Sequence, residues 1–271
     1  MEQTLIDPAS FARLKTLIYD LAGIDIKPGK EALVSGRLQK RMRELGIDSF
    51  KHYLDRIAAD PEGDEVVLLL DAISTNVTSF FREAEHFALL KTETARWVAA
   101  GQTRFRVWCA ASSSGEEPYT IAMTMMEAFG GRKVDLRILA TDISTRVLEM
   151  AKRGTYAASA INNVPPDLRK KWFLPDGDGR LVRVKDELRA LVTYNRLNLA
   201  KPPYPMKGPI DVVFCRNVMI YFDNQVRSRI IGEVRRLVRP GGLLCVGHAE
   251  SLSTLQGDLL NVQAAAYRIP G

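Results

Sequence analysis

The sequence predicts an α/β protein in which a small N-terminal helical bundle precedes a doubly wound, mainly parallel sheet carrying a small antiparallel insertion. Three patterns say so. Residues 10–73 repeat apolar side chains at helical spacing. From about Arg104, short strand-like runs alternate with longer helical ones. Residues 172–197 interrupt that alternation with a strong turn.

In the N-terminal part, Phe11, Leu14, Leu17, Ile18 and Leu21 share one helical face, and Gly23 stops the segment. A second helix is expected from about Lys30 to Leu45, ended by Gly46. Two more fall between Ser49 and Ile73, split by the loop Asp60-Pro61-Glu62-Gly63-Asp64. Beyond Arg104 the expected order begins with strand Phe105–Cys109, helix Glu116–Phe129, strand Leu136–Thr141 and helix Thr145–Arg153. It resumes with strand Ile210–Cys215, helix Gln225–Val238 and strand Leu243–Gly247. That rhythm belongs to a parallel sheet covered on both faces. Asp176-Gly177-Asp178-Gly179, followed by the runs Leu181–Val184 and Leu191–Tyr194, reads as the antiparallel insertion. The expected divisions are therefore a helical unit at 1–75, a linker at 76–95, and an α/β domain at 96–271 with the insertion at about 172–197.

The composition, 271 residues with 46% hydrophobic and 26% charged, is that of a globular protein able to bury a core. No run approaches the roughly 18 to 20 apolar residues of a membrane span. The N-terminus MEQTLIDPAS lacks the basic-then-apolar pattern of a signal peptide, so a cytoplasmic location without membrane insertion is expected. Cys109, Cys215 and Cys245 stand far apart among apolar neighbours and read as small buried hydrophobes. A net charge of +6 points to an anionic partner without saying which. His52, His86 and His248 are scattered along the chain, read as structural, and predict no metal site.

The strongest local signal runs from Val107 to Tyr119: an apolar strand, the small residues Ala110-Ala111-Ser112-Ser113-Ser114-Gly115, then a helix opening on Glu116-Glu117. Small side chains let a backbone approach a ligand closely, at the sheet edge where doubly wound folds bind theirs. No dinucleotide glycine fingerprint is present, and two acids at a helix start disfavour phosphate. A carboxylate there suits an ammonium or sulfonium group; a tight turn with helix-capping acids is the plainer reading. Asp142, closing the next strand, stands where such folds bind ribose hydroxyls, or equally caps the helix from Thr145.

Four strings in this order then resemble one family: Thr75-Asn76-Val77-Thr78-Ser79-Phe80-Phe81-Arg82-Glu83, Gly115-Glu116-Glu117-Pro118-Tyr119, Thr141-Asp142-Ile143 and Phe214-Cys215-Arg216-Asn217-Val218-Met219-Ile220-Tyr221-Phe222. They look like the CheR chemotaxis-receptor methyltransferases, and the likeness spans nearly the whole chain. The resemblance implies a Rossmann-like methyltransferase domain, S-adenosylmethionine as cofactor, S-adenosylhomocysteine as product, no metal, and glutamate side chains of chemoreceptors as substrate. It places Asn76, Thr78 and Arg82 in a segment closing over the cofactor, Glu117 at its amino end, Asp142 at its ribose, and Asn198 and Leu199 beside its adenine. Arg216 and Asn217 also line the implied pocket, and Tyr221 with Arg82 orients the reacting carboxylate. On the residues alone, the lesser alternatives are a domain-linking ion pair for Arg82 and a buried aromatic for Tyr221.

The family pattern departs at Ala249 of His248-Ala249-Glu250-Ser251 and in the small-residue loop, without loss of a required polar group. Between Lys27 and Arg43 lie six bases against one acid. Lys30, Arg37 and Arg41 share a face beside the apolar stripe of Val34, Leu38, Met42 and Leu45. A solvated face is the ordinary reading; the resemblance makes Arg37, Lys40, Arg41 and Arg43 a dock for the acidic helical bundle of a receptor. The run Arg227 to Arg239 reads as a solvated face. The implied partners are chemoreceptor bundles and regulatory signalling proteins, with a monomer as the default. A nucleic-acid methyltransferase is disfavoured, because Lys201 before Pro202-Pro203-Tyr204 offers no acceptor for an exocyclic amine. The other rival is a cofactor-binding adaptor without activity.

Overall fold

The computed structural model describes residues 5–250, 252 and 257–271. Met1–Thr4 of the stretch read for a signal peptide, and Ser251 of the string at His248, lie outside the described residues.

Four helices form the N-terminal bundle: α1 (Pro8–Ala22), α2 (Glu31–Glu44), α3 (Phe50–Ala59) and α4 (Asp64–Ile73). The side chain of Asp7 caps α1 by accepting from the Ser10 N–H, and Pro8 occupies a first-turn position that needs no donor. Gly23 closes the helix at φ 67°, a conformation that costs glycine nothing. Leu14, Ile18, Leu38, Tyr53, Leu54, Ile57 and Leu69 form a dry core of their own.

Among the described residues, the main sheet has seven strands. After α5 (Glu85–Ala99) come β1 (Arg104–Cys109), α6 (Glu116–Phe129), β2 (Asp135–Asp142) and α7 (Thr145–Arg153). Next is an excursion containing β3 (Thr155–Ala157), α8 (Pro166–Trp172), β4 (Phe173–Asp176), β5 (Leu181–Val184) and α9 (Asp186–Arg189). The chain returns through β6 (Val192–Arg196), β7 (Ile210–Cys215), α10 (Asn224–Leu237), β8 (Val238–Val246), β9 (Leu260–Gln263) and β10 (Ala266–Arg268). The strand order is β6-β2-β1-β7-β8-β10-β9, with β10 antiparallel to both of its neighbours. The order reverses between β1 and β7, which opens a crevice at their carboxyl ends. Alternation along β1 fills both faces: Phe105, Val107 and Cys109 join one core layer, and Trp108 joins the other with Val226, Ile230 and Val234 of α10. Cys109, Cys215 and Cys245 are free and buried in these layers, and burial pushes their thiols above the ordinary value.

Three expectations change. The run Leu191–Tyr194 does not belong to the antiparallel insertion: Val192–Arg196 pairs parallel with β2 at the edge of the main sheet. An edge strand buries little, so its apolar signal is as thin as a hairpin's. The small sheet is instead β3-β5-β4 and starts as early as Thr155. The second change concerns the linker: its residues 85–95 are the first turns of α5, where Phe87, Leu90 and Thr94 face the core at helical spacing. The third is the C-terminal pair β9 and β10, which was not foreseen; β9 is only four residues long and mostly exposed, so its alternation of Leu260 and Val262 with polar residues is too short to stand out.

The bundle seats against the crevice. Asn198 Nδ2 donates to the Leu21 carbonyl at 2.7 Å, and Tyr19 Oη donates to Asp223 Oδ2 at 2.5 Å. Asp25 N–H donates to the Tyr221 carbonyl at 2.9 Å.

Candidate functional site

The loop after β1 turns on two residues with positive φ, Ser113 at 46° and Gly115 at 100°. A Cβ at Gly115 would stand 2.8 Å from both Ala151 Cβ and Tyr156 Oη, so the second turn residue is glycine for space as well as for φ. Ser113 N–H donates to Asp142 Oδ2 at 2.9 Å, and its hydroxyl donates to the Asn76 carbonyl at 3.0 Å. Asp142 thus ties the β1 loop to the end of β2. The residue capping α7 is Ser144, whose hydroxyl accepts from the Val147 N–H, so the capping alternative for Asp142 falls.

After β7 the chain passes through Arg216 and Asn217, the latter at φ 57°. Glu250 fixes this bend by accepting from the backbone N–H groups of Asn217 at 2.7 Å, Ile220 at 3.3 Å and Gly247. Arg216 donates to Glu117 Oε2 at 2.6 Å and to Glu83 Oε2 at 3.0 Å, and Asn217 Nδ2 donates to Glu83 Oε1 at 3.2 Å. Glu83 and Glu250 were not singled out from the sequence. Both lay inside strings noticed for other reasons, and only the fold brings them to Arg216 and Asn217.

These loops and the bundle enclose an open cleft of about 940 Å³. Its wall includes Asn76, Thr78, Arg82, Glu117 and Asp142, together with Asn198, Leu199, Arg216, Asn217 and Tyr221. All ten positions named for cofactor and substrate therefore share one cleft. The four docking residues lie elsewhere, on α2; Arg43 donates to the Gln39 carbonyl of its own helix at 3.3 Å, and two others are held by residues beyond α2. Arg41 holds Glu65 through two nitrogens and Glu44 through a third, while Arg37 donates to the Ile73 carbonyl and to Thr75 Oγ1. Lys40 and Arg43 point outward and are exposed. Arg37 and Arg41 therefore face out less than a single-helix wheel predicts, because the acid on α4 and the carbonyls after it cannot be seen on such a wheel.

Two carboxylates, Glu117 and Asp142, and two guanidinium groups, Arg82 and Arg216, line the cleft, and Glu83 pairs with Arg216 from outside it. Burial raises the Glu117 carboxyl, with Arg216 drawing it partly back. Burial also raises Asp142, opposed by backbone donors from Ser144 and Ser113. At Glu83 burial is outweighed by Arg216 and Asn217, which hold its carboxyl below the ordinary value. The Asn76 side-chain amide nitrogen is buried without a hydrogen-bond partner among the described residues. Two buried carboxylates, an unmet donor, small loop residues and the apolar walls of Ile143, Leu199 and Phe222 together fit a ligand with cationic, hydroxyl and flat aromatic parts.

The histidines are not scattered in space. The His86 and His248 rings are 5.3 Å apart, beside Glu83. Only the fold unites them; no spacing in the chain predicts it.

Residues 76–268 match the family described as CheR methyltransferase, SAM binding domain, and residues 9–74 match its all-alpha domain. The chemotaxis protein methyltransferase of Klebsiella aerogenes is 41% identical over 93% of this chain and 87% of its own length. That of Escherichia coli is 40% identical over 94% and 88%, and chemotaxis protein methyltransferase 2 of Pseudomonas aeruginosa is 39% identical over 89% and 86%. Doubly wound sheet, switch-point cleft and donor set define an S-adenosylmethionine-dependent methyltransferase. The chain belongs to the CheR methyltransferase family. Its reaction is a methyl transfer in chemotaxis, and its cofactor is S-adenosylmethionine. No helix is long and apolar enough to cross a membrane among the described residues.

Proposed function

We propose that the chain methylates glutamate side chains in the cytoplasmic helical bundle of chemoreceptors, forming the methyl esters of sensory adaptation. The observation that carries this reading is that Arg82 and Tyr221 share a cleft with Glu117 and Asp142. When bound, S-adenosylmethionine supplies an electrophilic methyl group on a sulfonium.

The protein's part is alignment. A glutamate is already ionised at neutral pH, with a reference pKa of about 4.3, so no general base is required. Arg82 Nη1 is anchored on the Val77 carbonyl at 2.9 Å, and the rest of its guanidinium makes no hydrogen bond among the described residues. It offers charge-assisted donors to an incoming carboxylate, and the Tyr221 hydroxyl offers another. Orientation of this kind contributes roughly 7 to 11 kcal/mol in well-aligned systems. Glu117 holds the amino end of the cofactor, shared with Arg216, and Asp142 holds its ribose. Asn76 and Thr78 close over it, while Leu199 packs beside the adenine with Asn217 nearby. Asn198 acts through its backbone, since its side chain is occupied by the Leu21 carbonyl and the Ala200 N–H.

The bundle, residues 1–75, is the docking unit, and residues 76–84 join it to the transfer domain. Lys40 and Arg43 are the outward charges that meet an acidic receptor segment, and the protein acts as a monomer. The test is incubation with methyl-labelled cofactor and chemoreceptor-containing membranes, followed by mild base. Release of label as methanol is expected. Base-stable label would mean amine methylation, and cofactor binding without any transfer would mean an adaptor.

A further inference from the structure

We propose that Glu83, His86 and His248 form a binding site for a divalent transition-metal ion such as zinc, beside the cleft and outside the methyl-transfer chemistry. One ligand atom from each lies within 4.8 Å of the others. Glu83 and His86 flank the start of α5, and His248 follows β8, so the site joins two elements far apart in the chain.

The geometry around His86 is the reason. The residue is fully buried, and its Nε2 faces the Ala264 carbonyl at 3.3 Å. A carbonyl only accepts, so Nε2 carries the hydrogen and Nδ1 is left as a bare lone pair. Nδ1 is buried and makes no hydrogen bond among the described residues, while Glu83 Oε2 stands 3.7 Å away. Two acceptors face each other across a gap too wide for a hydrogen bond. A cation satisfies Nδ1 and bridges it to Glu83 Oε2, which also accepts from Arg216 Nη2 at 3.0 Å.

His248 completes the set. Its Nε2 is 2.6 Å from Glu85 Oε1, the carboxylate pairing that orients a metal-bound imidazole, and this leaves Nδ1 for the ion. The charge also favours a cation. Arg216 is shared between Glu117 and Glu83, which leaves that group one negative charge in excess, and Glu85 adds a second beside the two imidazoles. Two imidazoles and a carboxylate select a borderline ion, whereas calcium and magnesium take oxygen ligands. Ligands about 2.0 to 2.1 Å from a tetrahedral centre are roughly 3.4 Å apart, so the ion draws the cluster inward. His248 is the member free to move, with 43% of its side chain exposed.

The test uses the full chain, freed of any histidine tag and stripped with chelator, titrated with zinc and then cobalt. One ion per chain is expected, with the intense visible absorption of four-coordinate cobalt and a melting temperature that rises with zinc. His248→Ala should lower zinc affinity by about 100-fold, and Glu85→Gln by roughly 10-fold, the size of effect typical of lost ligands and their orienting partners. Neither change should alter the melting temperature without ion. Zinc affinity unchanged in His248→Ala, or no saturable binding by the wild type, would overturn the assignment.

Discussion

Arg216 Nη1 and Glu117 Oε2 stand 2.6 Å apart at the cleft wall, with the guanidinium fully buried and the carboxylate nearly so. The same guanidinium holds Glu83 and the Arg82 carbonyl, so one side chain ties the start of α6, the segment before α5 and the loop after β7 together. A buried pair adds little net stability over an apolar pair, but removing one partner strands the other. Arg216→Ala should therefore cost about 3 to 5 kcal/mol in denaturant unfolding. Adding Glu117→Gln should restore part of that loss, and neither variant should bind the cofactor product in calorimetry. Equal stability of single and double variants would show that the Arg216–Glu117 bond does not govern this loop.

Tyr221 and Arg82 meet the cleft from different elements and do different work. The Tyr221 hydroxyl makes no hydrogen bond among the described residues, so its removal disturbs no internal network. Tyr221→Phe should lower turnover by about 100-fold, the scale of one lost donor at a reacting centre, with cofactor affinity nearly unchanged. Arg82→Ala should abolish methyl transfer. Comparing kcat with product affinity checks both, and wild-type turnover in both variants would remove them from the mechanism.

The helices and central strands were legible because burial on both faces imposes dense, periodic apolar runs; helices Glu116–Phe129 and Thr145–Arg153 were placed to the residue. The edges were read less well: the run at Leu191–Tyr194 was recognised but assigned to the insertion and not to the main sheet, and Leu260–Gln263 is too short and too exposed to stand out. In the cleft, the acids at strand and helix ends were readable from position alone. Glu250 and the His86–His248 pair were not, because their partners arrive from 30 or more residues away.

The docking surface makes a prediction that separates two kinds of arginine. Lys40 and Arg43 are exposed, so reversing both to glutamate should raise the apparent KM for receptor membranes, by roughly 10-fold at low salt and less as salt screens the surface. Cofactor binding should not change. Arg41→Ala should instead lower the melting temperature, because it strands Glu65 between α2 and α4. Unaltered methylation by the double reversal would put the receptor on another face.

The bundle should also carry its own acid sensitivity. At Glu65, burial is outweighed by the Arg41 guanidinium and the Tyr53 hydroxyl, which hold its carboxyl below 4.5. A depressed carboxylate stabilises the fold above its unfolded value and loses that contribution as pH falls through the lower, folded one. Glu65→Gln should thus be less stable than wild type near pH 7, by roughly 1 kcal/mol after allowance for solvent. The two proteins should converge as pH falls below 4.5 and through the lower, folded value. The comparison must be a difference, because Glu116, Glu117 and Asp142, raised by burial, act with the opposite sign and gain stability on protonation. Unfolding curves of both proteins from pH 7 to 3 test it, and a gap that stays constant across that range would assign the acid response to other groups.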